Sequence, residues 1–232
     1  IGDRFFFVFL HLYRFTFGPQ HPAAHGVLCC LLYFVGEFLL FVDVIIGYLH
    51  RGTEKLCEYK TVEQSLPYFD RLDYVSVCCN EHLLSLCFEN LLRCCLAMRV
   101  SLLRLMFVEF TRCFNGLLCI SCMLLDLGCL SPLLWSFEER DKLMTFFDLV
   151  CGCRMHLAFM VLLGLLDDFV FGFCDFLVLL ILTILFLLDL YDVFVLGNRV
   201  FYLRLRGLSY FDLYDLCFMS LSGVLSRSLG MV

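Results

Sequence analysis

The 232 residues carry 17 Lys and Arg against 23 Asp and Glu, a formal net charge of −6, and 62% of them are hydrophobic. That mildly acidic balance, with no cluster of Lys and Arg interleaved with aromatics, argues against a nucleic-acid partner. A mean hydropathy of +0.89 and 27 Phe lie outside ordinary soluble composition and point to a membrane or its edge.

Residues 10–46 read as a β meander. Tyr13, Phe15 and Phe17 alternate with Leu12, Arg14 and Thr16, which is the strand period. The stretch FGPQHPAAHG then interrupts the chain; a second strand is expected from Val27 to Val35, a turn at Gly36-Glu37, and a third strand from Phe38 to Ile46. The interrupting loop holds two of the four prolines and two of the six histidines. Pro19 and Pro22 stiffen it, and Gly18 and Gly26 permit tight approaches at its ends. His21 and His25 are four apart, but Pro22 between them disfavours helical zinc geometry. They make either a rigid turn of hydrogen-bonded imidazoles or, with a pKa near ~6.5, a proton-exchanging pair.

From Arg51 the chain becomes more polar. Thr61 and Gln64 have capping-box spacing, and Pro67 is expected to stop that helix. Asp70 and Asp73, with Tyr74 beside them, look like a solvated helix end. Residues 75 to about 125 read as buried helix, Phe137 is expected to open another running toward His156, and Leu157 to Tyr191 a third. Asp126 is a single carboxylate among hydrophobes, which needs a cationic or hydrogen-bonding partner if buried. The uncharged run from Phe176 to Leu188 spans roughly 20 Å as a helix, short of a ~30 Å hydrocarbon core, so a buried or surface-embedded helix is expected. The sixteen cysteines are expected to be mostly small buried apolar residues, since their spacing suits neither disulfides nor zinc. The fold class is therefore α+β, mostly α: a small N-terminal antiparallel meander (1–46), a helical bundle (47–196) and an irregular segment (197–232).

Four segments go further: FGPQHPAAHGVL, GYLHRGTEKLCEYKTVEQSLPYFDRLDYVS, LLDLGCLSPLLWSFEERDK and CGCRMHLAF. In order and spacing they resemble the quinone-site core subunit of respiratory complex I, the 49-kilodalton subunit or NADH dehydrogenase subunit 7. The Phe/Leu/Cys-rich drift is most similar to the mitochondrially encoded kinetoplastid form, and the likeness covers an N-terminal portion of the family. The resemblance implies a nickel–iron hydrogenase large-subunit-like fold, with the sheet packed on a helical bundle. Arg51-Gly-Thr-Glu54 stands where the hydrogenase has metal cysteines, so no metal site is implied.

It further implies that His25 and Tyr74 flank the ubiquinone headgroup as catalytic residues, with Asp126 paired to the histidine. Arg51, Arg71 and His156 would lie beside a 4Fe–4S cluster carried by a partner iron–sulfur subunit. This chain would bind no cofactor alone. Its partners would be the other complex I core subunits and the membrane arm, on the matrix side of the mitochondrial inner membrane. Where the family usually has Arg and His, this chain has Cys29 and Gly116. The competing expectation is an integral membrane transport or scaffold protein with a spanning helix around residues 157–190.

Overall fold

The computed structural model describes residues 12–21, 24, 26–208 and 210–231. Two compact units divide it, one up to Ile184 and one from Leu185.

The first unit opens with the expected meander. Strands β1 (Leu12–Phe17), β2 (Cys29–Val35) and β3 (Phe38–Ile45) pair antiparallel in that order. Phe17 stands opposite Cys30, and Val35 opposite Phe38 across the Gly36-Glu37 turn. Central β2 buries Cys29 and Leu31, whereas β1 and β3 bury no side chain. Phe38 and Phe41 on β3 are left 78% and 60% exposed.

The helices of this unit are α1 (Thr53–Glu58), α2 (Val62–Phe69), α3 (Val77–Leu92), α4 (Met98–Asp126) and α5 (Leu130–Cys151), with α6 (Phe173–Tyr191) beginning in it. The capping box of α2 is present: Gln64 N–H donates to Thr61 Oγ1, and Thr61 N–H to Gln64 Oε1. Several boundaries differ from the expected ones. Pro67 does not stop α2, which runs on to Phe69, because the carbonyl its ring leaves without a donor belongs to exposed Glu63. The stretch 75–125 is split at Arg93, whose φ of 53° ends α3. Helix α5 starts at Leu130 rather than Phe137, with Pro132 in the first turn where no intrahelical N–H is needed. It ends at Gly152 (φ 69°), a left-handed cap, so His156 lies beyond the helix.

The core lies between α4 and α5. Phe107, Phe110 and Phe114 recur at helical spacing on α4 and meet Phe146 and Phe147 of α5. Phe159 and Phe173 close the cluster, with centroids 4.8 Å from Phe107 and 5.0 Å from Phe146.

Residues 153–172 are loop, not the expected helix, because side chains from neighbouring elements take the loop's backbone groups. Glu81 accepts from Phe159 N–H and Met160 N–H at 2.9 and 2.8 Å, and Asp70 from Ala158 N–H at 3.0 Å. Ser85 donates to the Met160 carbonyl. Glu89 accepts from Leu163 N–H at 2.8 Å and from both terminal nitrogens of Arg104, which donates onward to the Val161 and Gly164 carbonyls. Asp70, Glu81 and Arg104 are fully buried and Glu89 is 3% exposed.

Among the described residues, two helical spans are long and apolar enough to cross a membrane, Met98–Asp126 and Phe173–Leu196. The first carries the buried Arg104–Glu89 pair at its packed face and belongs to the core. The second continues α6 into a π-helical turn (Asp192–Leu196), with a mean hydropathy of 2.6 and little of it buried. Val178, Leu179, Leu182 and Phe186 are all exposed, so of the two alternatives expected for this run, buried or surface-embedded, the structure does not bear out the first. The cysteines also depart from expectation. All sixteen are free, but only Cys29 and Cys78 are buried and eight are exposed.

In the second unit the tail expected to be irregular forms α7 (Arg199–Leu205), α8 (Leu213–Phe218) and α9 (Val224–Ser228). Asn198 and Asp212 accept from the first N–H groups of α7 and α8.

Replacing Glu89 by Ala strands the buried Arg104 charge and frees the Leu163 amide. A loss of about 3–5 kcal/mol is expected, read as a lowered urea midpoint of the chain in its native assembly.

Candidate active site

The loop between β1 and β2 is pinched at its neck. Gly18 has φ 84°, and a Cβ there would meet the Leu28 carbonyl oxygen at 1.9 Å, so only glycine fits. Ala24 is buried, and the His21 ring packs on Phe17 at a tilt of 41° with centroids 4.5 Å apart. At the far end Gly26 (φ 107°) reaches the helical part: a Cβ there would sit 3.5 Å from the Tyr74 hydroxyl. Pro19, Gln20, His21 and Gly26 line an open depression of about 700 Å³. His25 lies outside the described residues.

Tyr74 sits in the turn between α2 and α3, 40% exposed. Asp73 fixes this turn by accepting from Val75 and Ser76 N–H groups, and Asn115 of α4 donates to Ser76 Oγ at 2.7 Å. Behind Tyr74 is a recess of about 10 Å³ shared with Thr111, Phe114, Arg154 and Met155. Arg154 is tied to Asp141 of α5. Tyr74 therefore lies between the β1–β2 loop and the segment that carries His156.

Asp70, expected in a solvated helix end, is instead fully buried. Burial pushes its carboxyl upward, opposed by hydrogen bonds to Glu81 and Ala158 and by the charges of His156 and Arg71. Burial likewise pushes Glu81 up, to about 8, with the charge and hydrogen bond of Asp70 adding to it. His156 is half-buried, and its Nδ1 has no hydrogen-bond partner among the described residues. Arg71, exposed, donates to the Pro67 carbonyl. The structure thus brings Arg71 and His156 together around Asp70, and Gly26 to Tyr74.

Arg51 is exposed in the segment before α1. Asp126 is the last residue of α4 and is exposed, not buried among hydrophobes as its neighbours suggested. Glu81 was not foreseen. Its one signal is a carboxylate kept in the apolar run VCCNEHLL. Among the described residues no group of three or more His, Cys, Asp and Glu is placed to hold a metal ion.

The model of the respiratory-chain NADH dehydrogenase 49 Kd subunit family matches residues 126–232. The chain is 82% identical over 98% of its length to the NADH-ubiquinone oxidoreductase 49 kDa subunit homolog of Trypanosoma brucei brucei, covering 59% of that protein. It is 43% identical over 94% of its length to the mitochondrial 49 kDa subunit of Neurospora crassa, covering 46% of it. To the NADH-ubiquinone oxidoreductase 49 kDa subunit of Pylaiella littoralis it is 42% identical over 94% of its length, covering 55% of that relative. These likenesses bear out the resemblance to the 49 kDa subunit of respiratory-chain NADH dehydrogenase that the four segments carry. The chain spans about half the length of the curated relatives it matches.

Two outcomes are expected. Gly18→Ala forces the loop neck open and displaces the Gly26 end from Tyr74; turnover of the native assembly falls on the order of 10²-fold, with faster amide exchange confined to residues 18–28. Secondly, burial keeps Glu81 protonated in the folded chain up to about 8, a proton that the unfolded chain releases near 4.5. Stability is then greatest on the acid side and declines as pH rises from about 4.5 toward about 8. Urea midpoints across that window fall for the native protein, and Glu81→Gln removes this part of the slope.

Proposed function

We propose that this chain forms the ubiquinone headgroup pocket of a proton-pumping NADH:ubiquinone oxidoreductase. In this reading it lies peripherally on the matrix side of the mitochondrial inner membrane, next to a subunit carrying the terminal 4Fe–4S cluster. The observation that carries the reading is the approach of Gly26 to the Tyr74 hydroxyl. It sets the histidine loop against a phenol that a ligand can reach.

Two-electron reduction makes quinone oxygens strongly basic, so the pocket must supply hydrogen bonds and protons as charge develops. Tyr74 holds its proton until the quinone oxygen is basic enough to draw it. His25 gives a proton near neutral pH. Asp126 ends a 29-residue helix, where the partial negative charge of the helix dipole favours a cation beside it. An imidazolium of His25 paired there is stabilised, and its loss of a proton removes that cation from beside Asp126, a charge imbalance from which pumping can start.

The partner's cluster supplies the electrons when that subunit is bound. Arg51 and Arg71 are exposed and can meet its negative charge, raising its potential, and a titratable His156 makes that potential pH-dependent. The uncovered apolar faces of β3 and α6 suit burial against other core subunits and the membrane arm.

A second reading, an integral membrane transport or scaffold protein, has the exposed apolar α6 in its favour. Release of the chain from membranes by alkaline carbonate contradicts it, and release is the outcome expected here.

The test uses the native assembly captured through this chain, assayed for NADH-driven, inhibitor-sensitive reduction of a short-tail ubiquinone. Tyr74→Phe and His25→Ala are each expected to lower that rate by about 10²-fold or more, while NADH still reduces the partner's cluster. Unchanged quinone reduction in both variants would overturn the assignment.

A further inference from the structure

Asp70 and Glu81 each use one oxygen on the loop amides: Oδ2 on Ala158, and Oε2 on Phe159 and Met160. The other oxygens, Asp70 Oδ1 and Glu81 Oε1, are buried without any donor. The two carboxyls hold consecutive amides of one loop, Ala158 and then Phe159 and Met160, and each acts on the other's protonation. Two ionised carboxylates side by side can offer each other no hydrogen, whereas one retained proton lets one donate to the other. Two charges in a site with no water-exposed surface also repel, which favours one retained proton. The two orphan oxygens, one on each carboxyl, are explained together by a single proton between them.

The surroundings fix what this pair can influence. His156 and Arg71 face Asp70. Cys78 and Cys151 face Glu81, and burial first, with the Glu81 charge second, pushes both thiols up, Cys151 to about 12. The thiols therefore stay neutral, and the cationic groups that face the pair are those of His156 and Arg71.

We propose that Asp70 and Glu81 form a one-proton carboxyl dyad that holds the His156 loop in place and sets the pH at which His156 takes up its proton. The dyad is a positioning and charge-setting device; neither carboxyl touches the quinone. Its link to electron transfer rests on the reading of His156 as a neighbour of the partner's cluster.

Two readouts in the native assembly test it. Infrared spectra across a pH titration should contain a protonated-carboxyl band that disappears in Glu81→Gln and that remains, at a shifted frequency, in Asp70→Asn, where Glu81 keeps its proton. The first variant keeps the shape of Glu81 and an oxygen for the two amides, so it preserves the loop. In redox titrations of the partner's cluster, Asp70→Asn leaves a neutral pair, and the pH dependence shifts about one unit or more toward acid. Glu81→Gln keeps one negative charge and leaves the acid limb in place.

Absence of the carboxyl band in the native protein, or its persistence in Glu81→Gln, would overturn the dyad. An unshifted pH dependence in Asp70→Asn would overturn its coupling to His156. A native cluster potential that does not vary with pH would instead contradict the placement of His156, with the infrared result still deciding the dyad.

Discussion

The arrangement rests on the burial of a loop that cannot satisfy its own backbone. From Ala158 to Gly164 the amides and carbonyls lie within or against the core, where an unpaired group costs about 1–3 kcal/mol. Helix or sheet pairing would satisfy them, but here Asp70, Glu81, Ser85, Glu89 and Arg104 do so from three other elements. Each of those side chains is itself buried, and each is made tolerable by the loop it holds. Loop and acids are therefore one cooperative unit, and His156 is carried at its entrance.

The same constraint reaches the candidate pocket. Tyr74 shares a recess with Arg154 and Met155, at the start of this loop, and faces Gly26 on its other side. A phenol meant to donate a proton gains from walls that do not move, and those walls are set by the buried acids on one side and the Gly18 neck on the other. The surfaces away from it are of another kind. Strand β3 and helix α6 present apolar side chains that no described part of their own unit covers, as suits a subunit that sits among others.

Much of this was legible in the residues, for reasons that differ from place to place. The meander could be read because alternation at Leu12 to Phe17 has a period only a strand uses, and α2 because Thr61 and Gln64 mark a capping box. The family could be read because its polar motifs stand out against an apolar drift. The loop at 153–172 could not: an apolar run such as Leu157 to Leu166 has no period that separates loop from buried helix, and what decides it are carboxylates distant in sequence. Asp70 looked solvated because adjacent Arg71 and Asp73 are exposed, and Asp126 looked buried because its neighbours are apolar. In both cases local composition was a poor guide to the side of the helix end that faces out. Exposed cysteines such as Cys94 and Cys95 likewise show that cysteine content alone does not tell which of them are buried.

The central claim is that the quinone headgroup sits between the β1–β2 loop and Tyr74. The most direct measurement is photolabelling of the native assembly with a short-tail ubiquinone carrying a photoreactive group on its ring, followed by peptide mapping with and without a competing quinone-site inhibitor. Inhibitor-protected label on residues 18–28 and on the turn containing Tyr74 is the predicted result. Protected label on α6 with none on either of those segments would contradict it.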